Sequence, residues 1–370
     1  MNKTDFAAAA REIGPIFAQR SAAHDADDSF VAENYAALKA HGFITAAVPA
    51  ELGGGDASVA ELSAMLRELA HHCSSTALAL SMHTHQVAIP AWRWRNEGAP
   101  TDAFLRRVAS EELVLVSSGA SDWLDSSGSL EKAEGGYLMT GRKVFASGSP
   151  AGNLLMTSGV YDDPDGGPTV LHFPLPLNTQ GVSVRDNWRT LGMRGTGSND
   201  VTIDRAFVPE AAIGIRRPKG KWHVIYHLTV MIALPLVYSV YVGIAEAARD
   251  IALAQAKKKP GDIDLIGNVG EMENELRSAQ MALESAIACA TTAKPDADTS
   301  NEILIRRTIA GRSAIRTVEK AMEVAGGASF FRSFGLERLY RDIQGARFHP
   351  MQEKRQHDFT GRYTLGLPFD

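Results

Sequence analysis

Apolar positions in the first part of the chain recur three and four residues apart, as in Leu62, Met65, Leu66 and Leu69. That is the period of a helix with one buried face, and it predicts helices from residue 1 to about 112. Pro49-Ala50-Glu51-Leu52-Gly53-Gly54-Gly55 interrupts them as a loop. Near Leu113 the pattern changes. Short β-type runs follow, separated by Gly, Asp, Asn and Pro: Leu113 to Ser117, Tyr137 to Thr140, Leu154 to Thr157, Thr169 to Phe173, Val182 to Val184 and Val201 to Ile203. Regular short strands of this kind predict a small barrel or sandwich. After Pro209 the helical pattern returns, with long Ala-rich stretches over about 222–257, 268–293 and 300–326. Three long helices and a shorter fourth read as a bundle.

The expected class is therefore α+β, in the order helical, β, helical. The expected units are an α-helical domain over 1–112, a β-barrel over 113–215 and a four-helix bundle over 216–370. The chain has no internal repeat, and Lys258-Lys259-Pro260-Gly261-Asp262 reads as a loop between two bundle helices.

Composition narrows the functional classes. At 370 residues and 45% hydrophobic content the chain can bury a large core. A net charge of −5 gives no electrostatic footprint for nucleic acid. Cys73 and Cys289 both sit among small apolar residues, which argues for reduced thiols rather than a disulfide, and no His/Cys cluster has metal spacing. The first residues lack an apolar signal region, and the apolar run Met231 to Val237 contains Pro235 and is too short to cross a bilayer. A soluble, cytoplasmic protein without membrane attachment is expected.

Several motifs then point one way. They are Pro49-Ala50-Glu51-Leu52-Gly53-Gly54; Leu78-Ala79-Leu80-Ser81-Met82-His83; Ala120-Ser121-Asp122; and, fifteen residues after Asp122, Tyr137 opening a stretch that runs to Phe145. Trp188 with Leu191 to Ser198, Ala325-Gly326-Gly327 and Leu336 to Asp342 complete the set. In this order they resemble the acyl-CoA dehydrogenase superfamily of flavoproteins over nearly the whole chain. The resemblance implies flavin contacts from Ser118, Ser121, Phe145, Ser147, Gly148, Arg194, Gly326 and Gly327, with Ser147 beside the flavin N5. It also places Met82 to His85 on a helix lining the substrate pocket, so that His83 or His85 reaches it. Backbone N–H groups of a Gly/Ser loop suit the polar edge of an isoalloxazine, and Phe145 suits its apolar face. The sequence leaves Arg194 open between a flavin phosphate and a carboxylate at a domain interface.

Dehydrogenation of an acyl-CoA needs a carboxylate base. Most members supply it nine residues after the Arg of Arg-Asp, which here is Pro350; a minority supply it on the first long C-terminal helix, near Ala233. Leu228 to Val242 contains no Asp or Glu, and Glu353 and Asp358 read as solvated. His349 stands one residue before the empty position. With Ser147-Gly148 and Arg194 to Ser198, it is similar to the oxygen-using branch of the superfamily, of dibenzothiophene monooxygenase and phenol hydroxylase type. In that branch reduced flavin and O2 form a C4a-hydroperoxide, which gives one oxygen atom to a small substrate. A histidine near its ordinary pKa of about 6.5 then serves as acid or base; the plainer role for His349 is a histidine satisfied by a backbone carbonyl. Lys257 to Ile263 lacks the family's Arg-x-x-Phe turn for the ADP half of FAD, which favours FMN, whereas Gly326-Gly327, which resembles the neighbouring subunit's FAD contact, favours FAD. A separate flavin reductase and a homotetramer follow from the same resemblance. The rival readings are an acyl-CoA dehydrogenase with its base elsewhere and a catalytically silent flavin- or acyl-CoA-binding protein.

Overall fold

The computed structural model describes residues 3–369 except 119–121, 123 and 259. Five helices open the chain: α1 (Phe6–Asp27), α2 (Ala32–Ala40), α3 (Val59–His72), α4 (Ser74–Glu97) and α5 (Asp102–Glu111). Local chemistry sets several boundaries. Ser58 and Glu61 form a reciprocal capping box at the start of α3, satisfying two N–H groups that the helix leaves unpaired. Gly98, at φ +64°, ends α4 in the left-handed conformation.

Eight strands follow among the described residues: β1 (Leu115–Ser117), β2 (Ser129–Ala133), β3 (Gly136–Ala146), β4 (Leu154–Asp163), β5 (Gly167–Pro176), β6 (Val182–Val184), β7 (Asn199–Pro209) and β8 (Ile215–Pro218). They form one mixed sheet in the order β6-β7-β3-β2-β4-β5-β8, with β1 parallel to β4. The sheet is not the closed barrel expected from the sequence. Its path ends at β6 and β8, which are only three and four residues long and do not extend the ladder. β2 and β8 escaped the sequence reading because each carries a single strong apolar residue, Leu130 and Ile215. Val116, Tyr137, Met139, Leu155, Phe173 and Ile203 form the sheet's own apolar core.

The C-terminal part contains α6 (Val224–Ala256), α7 (Ile263–Thr292), α8 (Ala297–Ala325), α9 (Leu336–Ile343) and α10 (Glu353–Thr364). Three helices are long, and two short ones take the place of the single shorter fourth. Pro235 does not interrupt α6, so the apolar run read as short is part of a helix of 33 residues. By length and composition that helix could span a bilayer, but 94% of its most apolar window is buried inside the protein. It is the central core helix, packed on α3, α4, α7 and α8. Glycines permit the closest approaches: a Cβ on Gly243 would lie 2.3 Å from the Arg67 carbonyl oxygen of α3.

One buried carboxylate ties the sheet to the helices. Asp342 of α9 accepts from the Met193 N–H at 2.5 Å and from the Ser74 hydroxyl at the start of α4. Arg341 beside it pairs with Asp25 at 2.6 Å and with Glu337, four residues back, at 2.8 Å. The ion pair along α9 is thus made by Arg341 and Glu337. These bonds hold the loop that carries Trp188 to Met193 against the helical domains.

Candidate active site

A cavity of about 1180 Å³ opens where α4, the sheet, α6 and the segment after α9 meet. Its volume exceeds that of a typical single-ligand pocket, roughly 300–1,000 Å³, and leaves room for a flavin and a substrate together.

One wall comes from the end of β3. The ladder to β7 shifts register between Lys143 and Ala146. Phe145 within that shift takes φ +56° and keeps 51% of its surface exposed. A phenyl ring held in the left-handed region beside a cavity presents an apolar face on which a planar ring can stack. Trp188 meets it edge-on at 5.7 Å, held by an N–H bond to the Met193 carbonyl at 3.0 Å. Next to Phe145, a chain of hydroxyls runs Ser147 to Ser198 at 2.7 Å, Ser198 to Thr196 at 2.7 Å and Thr196 to the Met193 carbonyl at 2.8 Å. A hydroxyl has one proton. Thr196 donates to the carbonyl, so Ser198 donates to Thr196 and Ser147 donates to Ser198. Ser147 then offers lone pairs to the cavity, suited to a ring N–H. An exposed aromatic face beside a polar edge fits an isoalloxazine. Ser118, just after β1, is fixed to Thr157 at 2.9 Å and also lines the cavity.

The facing wall carries two imidazoles. His85 donates from Nδ1 to the Ser81 carbonyl at 3.0 Å and accepts at Nε2 from Gln86 at 3.1 Å. His349 hydrogen-bonds through Nε2 to the Tyr241 hydroxyl. Its backbone carbonyl receives Arg307 Nη2 at 2.8 Å. Burial pushes His85 down to about 4. Burial, then the Arg307 charge, pushes His349 down to about 3. The expectation of an imidazole titrating near neutrality at His349 is therefore corrected: both rings are neutral at ordinary pH. Burial also raises the Tyr241 phenol far above its ordinary value.

Pro350 and Ala233, the two positions where a carboxylate base was sought, both line the cavity and neither transfers a proton. Among the described lining residues the carboxylates are Asp122 and Asp125. Asp122 is bound by Lys143 and by Ser127 at 2.6 Å. Glu353 and Asp358 pair at the surface with Arg312 and Arg362.

The structure thus gathers Ser118, Phe145, Ser147, His85 and His349 around one space. Other expected site residues lie elsewhere. His83 is sealed behind α4, donating to the Ile44 carbonyl at 2.8 Å and accepting from Leu115 N at 2.9 Å. Gly148, at φ +74°, supports the wall from behind against Tyr35. Arg194 bonds to the Thr190 and Asp25 carbonyls and faces Asp28 at 3.5 Å, the interface role rather than the phosphate role. Gly326 and Gly327 lie just beyond α8 and do not line this chain's cavity; the resemblance assigns them to the flavin of a neighbouring subunit. Ser121 falls outside the described residues. Tyr241 was missed, because within Leu236 to Ile244 it reads as one more apolar core position.

Comparison with known proteins agrees with this geometry. The family profiles "Acyl-CoA dehydrogenase, N-terminal domain" and "Acyl-CoA dehydrogenase, C-terminal domain" match residues 4–112 and 236–354. The amino sugar nitrososynthase RubN8 of Streptomyces rubradiris is 27% identical, over 96% of this chain and 88% of that protein. The putative acyl-CoA dehydrogenase YdbM of Bacillus subtilis is 26% identical, over 91% of each. The structure of KijD3 in complex with FMN and dTDP-3-amino-2,3,6-trideoxy-4-keto-3-methyl-D-glucose superposes with a TM-score of 0.89 at 27% identity, covering 99% of this chain and 95% of that one. Motif order, domain order and these matches converge: the chain belongs to the acyl-CoA dehydrogenase superfamily.

Proposed function

We propose that the protein is a flavin-dependent monooxygenase that uses FMN and O2 to oxidise an amine nitrogen on a small molecule. The observation that carries this reading is the pair Pro350 and Ala233 at the cavity wall, where a dehydrogenase would place its base. When bound and reduced, the flavin supplies activated oxygen. Phe145 and Trp188 would support the ring, and Ser147 would accept from its N–H edge. The helices and the sheet enclose the reacting groups and limit water.

An amine is oxidised through its lone pair, so it must be bound unprotonated. A free carboxylate would favour the ammonium form instead. Here Asp122 is neutralised by Lys143, Asp125 lies within the field of the Arg217 guanidinium, and the facing wall offers neutral His85 and His349. RubN8 and KijD3, named for or bound to amino sugars, support the choice of an amine.

The test is direct. Protein supplied with reduced FMN and air should consume candidate amines in an oxygen-dependent reaction. Anaerobic bleaching of the oxidised holoprotein by an acyl-CoA thioester would instead establish the dehydrogenase suggested by the likeness to YdbM. Tight ligand binding without turnover would establish a silent binding protein. The same reading includes a separate flavin reductase, a cytoplasmic location and a homotetramer. Exposed Ile263, Ile266, Phe330 and Phe331 in the C-terminal part support association. Light scattering should give a mass about four times the 39.8 kDa of one chain.

A further inference from the structure

The Tyr241 side chain is fully buried, 0% exposed, on the inner face of α6. Its hydroxyl proton needs an acceptor, and among the described residues it meets one, Nε2 of His349. The approach depends on Gly345, where a Cβ would lie 2.8 Å from the phenol oxygen. The backbone of His349 is held separately by Arg307. The ring therefore has little freedom to turn away.

A neutral imidazole carries one N–H and one bare nitrogen. With Nε2 receiving the phenol hydrogen bond, the ring proton must sit on Nδ1, which has no hydrogen-bond partner among the described residues. The opposite tautomer would point Nε2–H at the phenol oxygen and leave a buried O–H without an acceptor, the costlier arrangement. We propose that Tyr241 is a positioning residue that locks His349 as its Nδ1–H tautomer, so that the cavity meets a hydrogen-bond donor there and not a base.

His85 shows the contrast. The Ser81 carbonyl fixes it in the same tautomer, but Gln86 already occupies its bare Nε2. Unlike His85, His349 keeps an open polar edge. A donor in that position suits an oxygen atom in transit, since it stabilises developing negative charge on the oxygen left behind. The use of this donor in turnover rests on the monooxygenase reading; the tautomer itself does not.

The experiment is nitrogen-15 NMR of histidine-labelled protein carrying oxidised FMN, with His349 assigned by its loss in His349→Gln. The expected spectrum has Nδ1 protonated and Nε2 bare. Tyr241→Phe should convert His349 to the other tautomer or to a mixture, and turnover should fall about tenfold or more. Gly345→Ala, which presses on the phenol oxygen, should give the same spectral change if Tyr241→Phe folds poorly. Protonated Nε2 in the wild-type protein, or an unchanged tautomer in Tyr241→Phe, overturns the proposal. The expected tautomer in a protein that oxidises no amine would leave the positioning role standing and remove the proposed function.

Discussion

Replacing Asp122 by alanine would strand an ammonium group inside the sheet domain. The Lys143 and Asp122 side chains are 0% and 4% exposed and form an ion pair. Lys143 also donates to the Ser127 carbonyl at 2.6 Å, and Ser127 donates to Asp122 at 2.6 Å, so three residues close one network. Burial already pulls the Lys143 pKa down, and the Asp122 charge is the chief opposing influence. Removing one partner of such a pair costs about 3–5 kcal/mol. An unfolding entropy of about 2.1 cal/mol/K per residue over 370 residues gives about 0.8 kcal/mol/K. The melting midpoint of Asp122→Ala should therefore fall by about 4–6 °C in calorimetry of flavin-free protein. Lys143→Met should cost a similar amount. The double variant should cost well under the sum, with a coupling of at least about 2 kcal/mol, because no charge is left unpaired. Additivity within about 0.5 kcal/mol would refute the claim that the pair acts as a unit.

Other predictions are independent of that pair. Glu246 joins α3, α6 and α7 through Arg67, His71 and Gln280; burial would raise its pKa, but the bonds from His71 and Arg67 outweigh it and hold it at about 2. A depressed carboxylate stabilises the fold above its unfolded value of 4.5 and loses that contribution as pH falls toward 2, about 3 kcal/mol in all. Urea unfolding of Glu246→Gln should show little of this acid dependence between those limits; an unchanged profile would exclude Glu246 as its source. Phe145→Ala should weaken FMN binding by about two- to twelvefold in a fluorescence titration, from the loss of about 0.5–1.5 kcal/mol of aromatic contact, and equal affinity would remove Phe145 from the flavin site. Gly148→Ala combines a φ of +74° with a Cβ 2.9 Å from the Tyr35 hydroxyl. It should lower stability by about 1–3 kcal/mol and disturb Ser147; a neutral effect would show that the turn relaxes freely.

The order of helical, β and helical parts was legible because periodicity changes sharply near Leu113 and again after Pro209. Two features resisted such reading. β2 is held by a tight hairpin to β3 and by β4 farther along the chain, and β8 by β5, not by apolar content of their own. Whether a sheet closes depends on its edge strands, which local pattern does not register. Phe145 and Ser147 were singled out by the motif likeness of Gly136 to Gly148, and the fold sets both on the cavity wall. Arg194 and His83 look like site residues in sequence, but the fold uses them for interface contacts that depend on Asp25 and Ile44, far away in the chain. Tyr241 was invisible for the opposite reason. Nothing nearby marks a phenol in an apolar helix as a partner for a histidine 108 residues later.

The central claim is that this cavity passes oxygen from O2 to a substrate and does not abstract an α-proton. Its most direct test is mass spectrometry of products formed from a panel of small amines by the reduced FMN-bound protein under ¹⁸O2. The account predicts hydroxylated or more oxidised nitrogen carrying ¹⁸O, with no label from H2¹⁸O. Products whose oxygen comes from water would contradict it, as would a protein inert to every amine whose oxidised flavin is instead reduced by an acyl-CoA thioester.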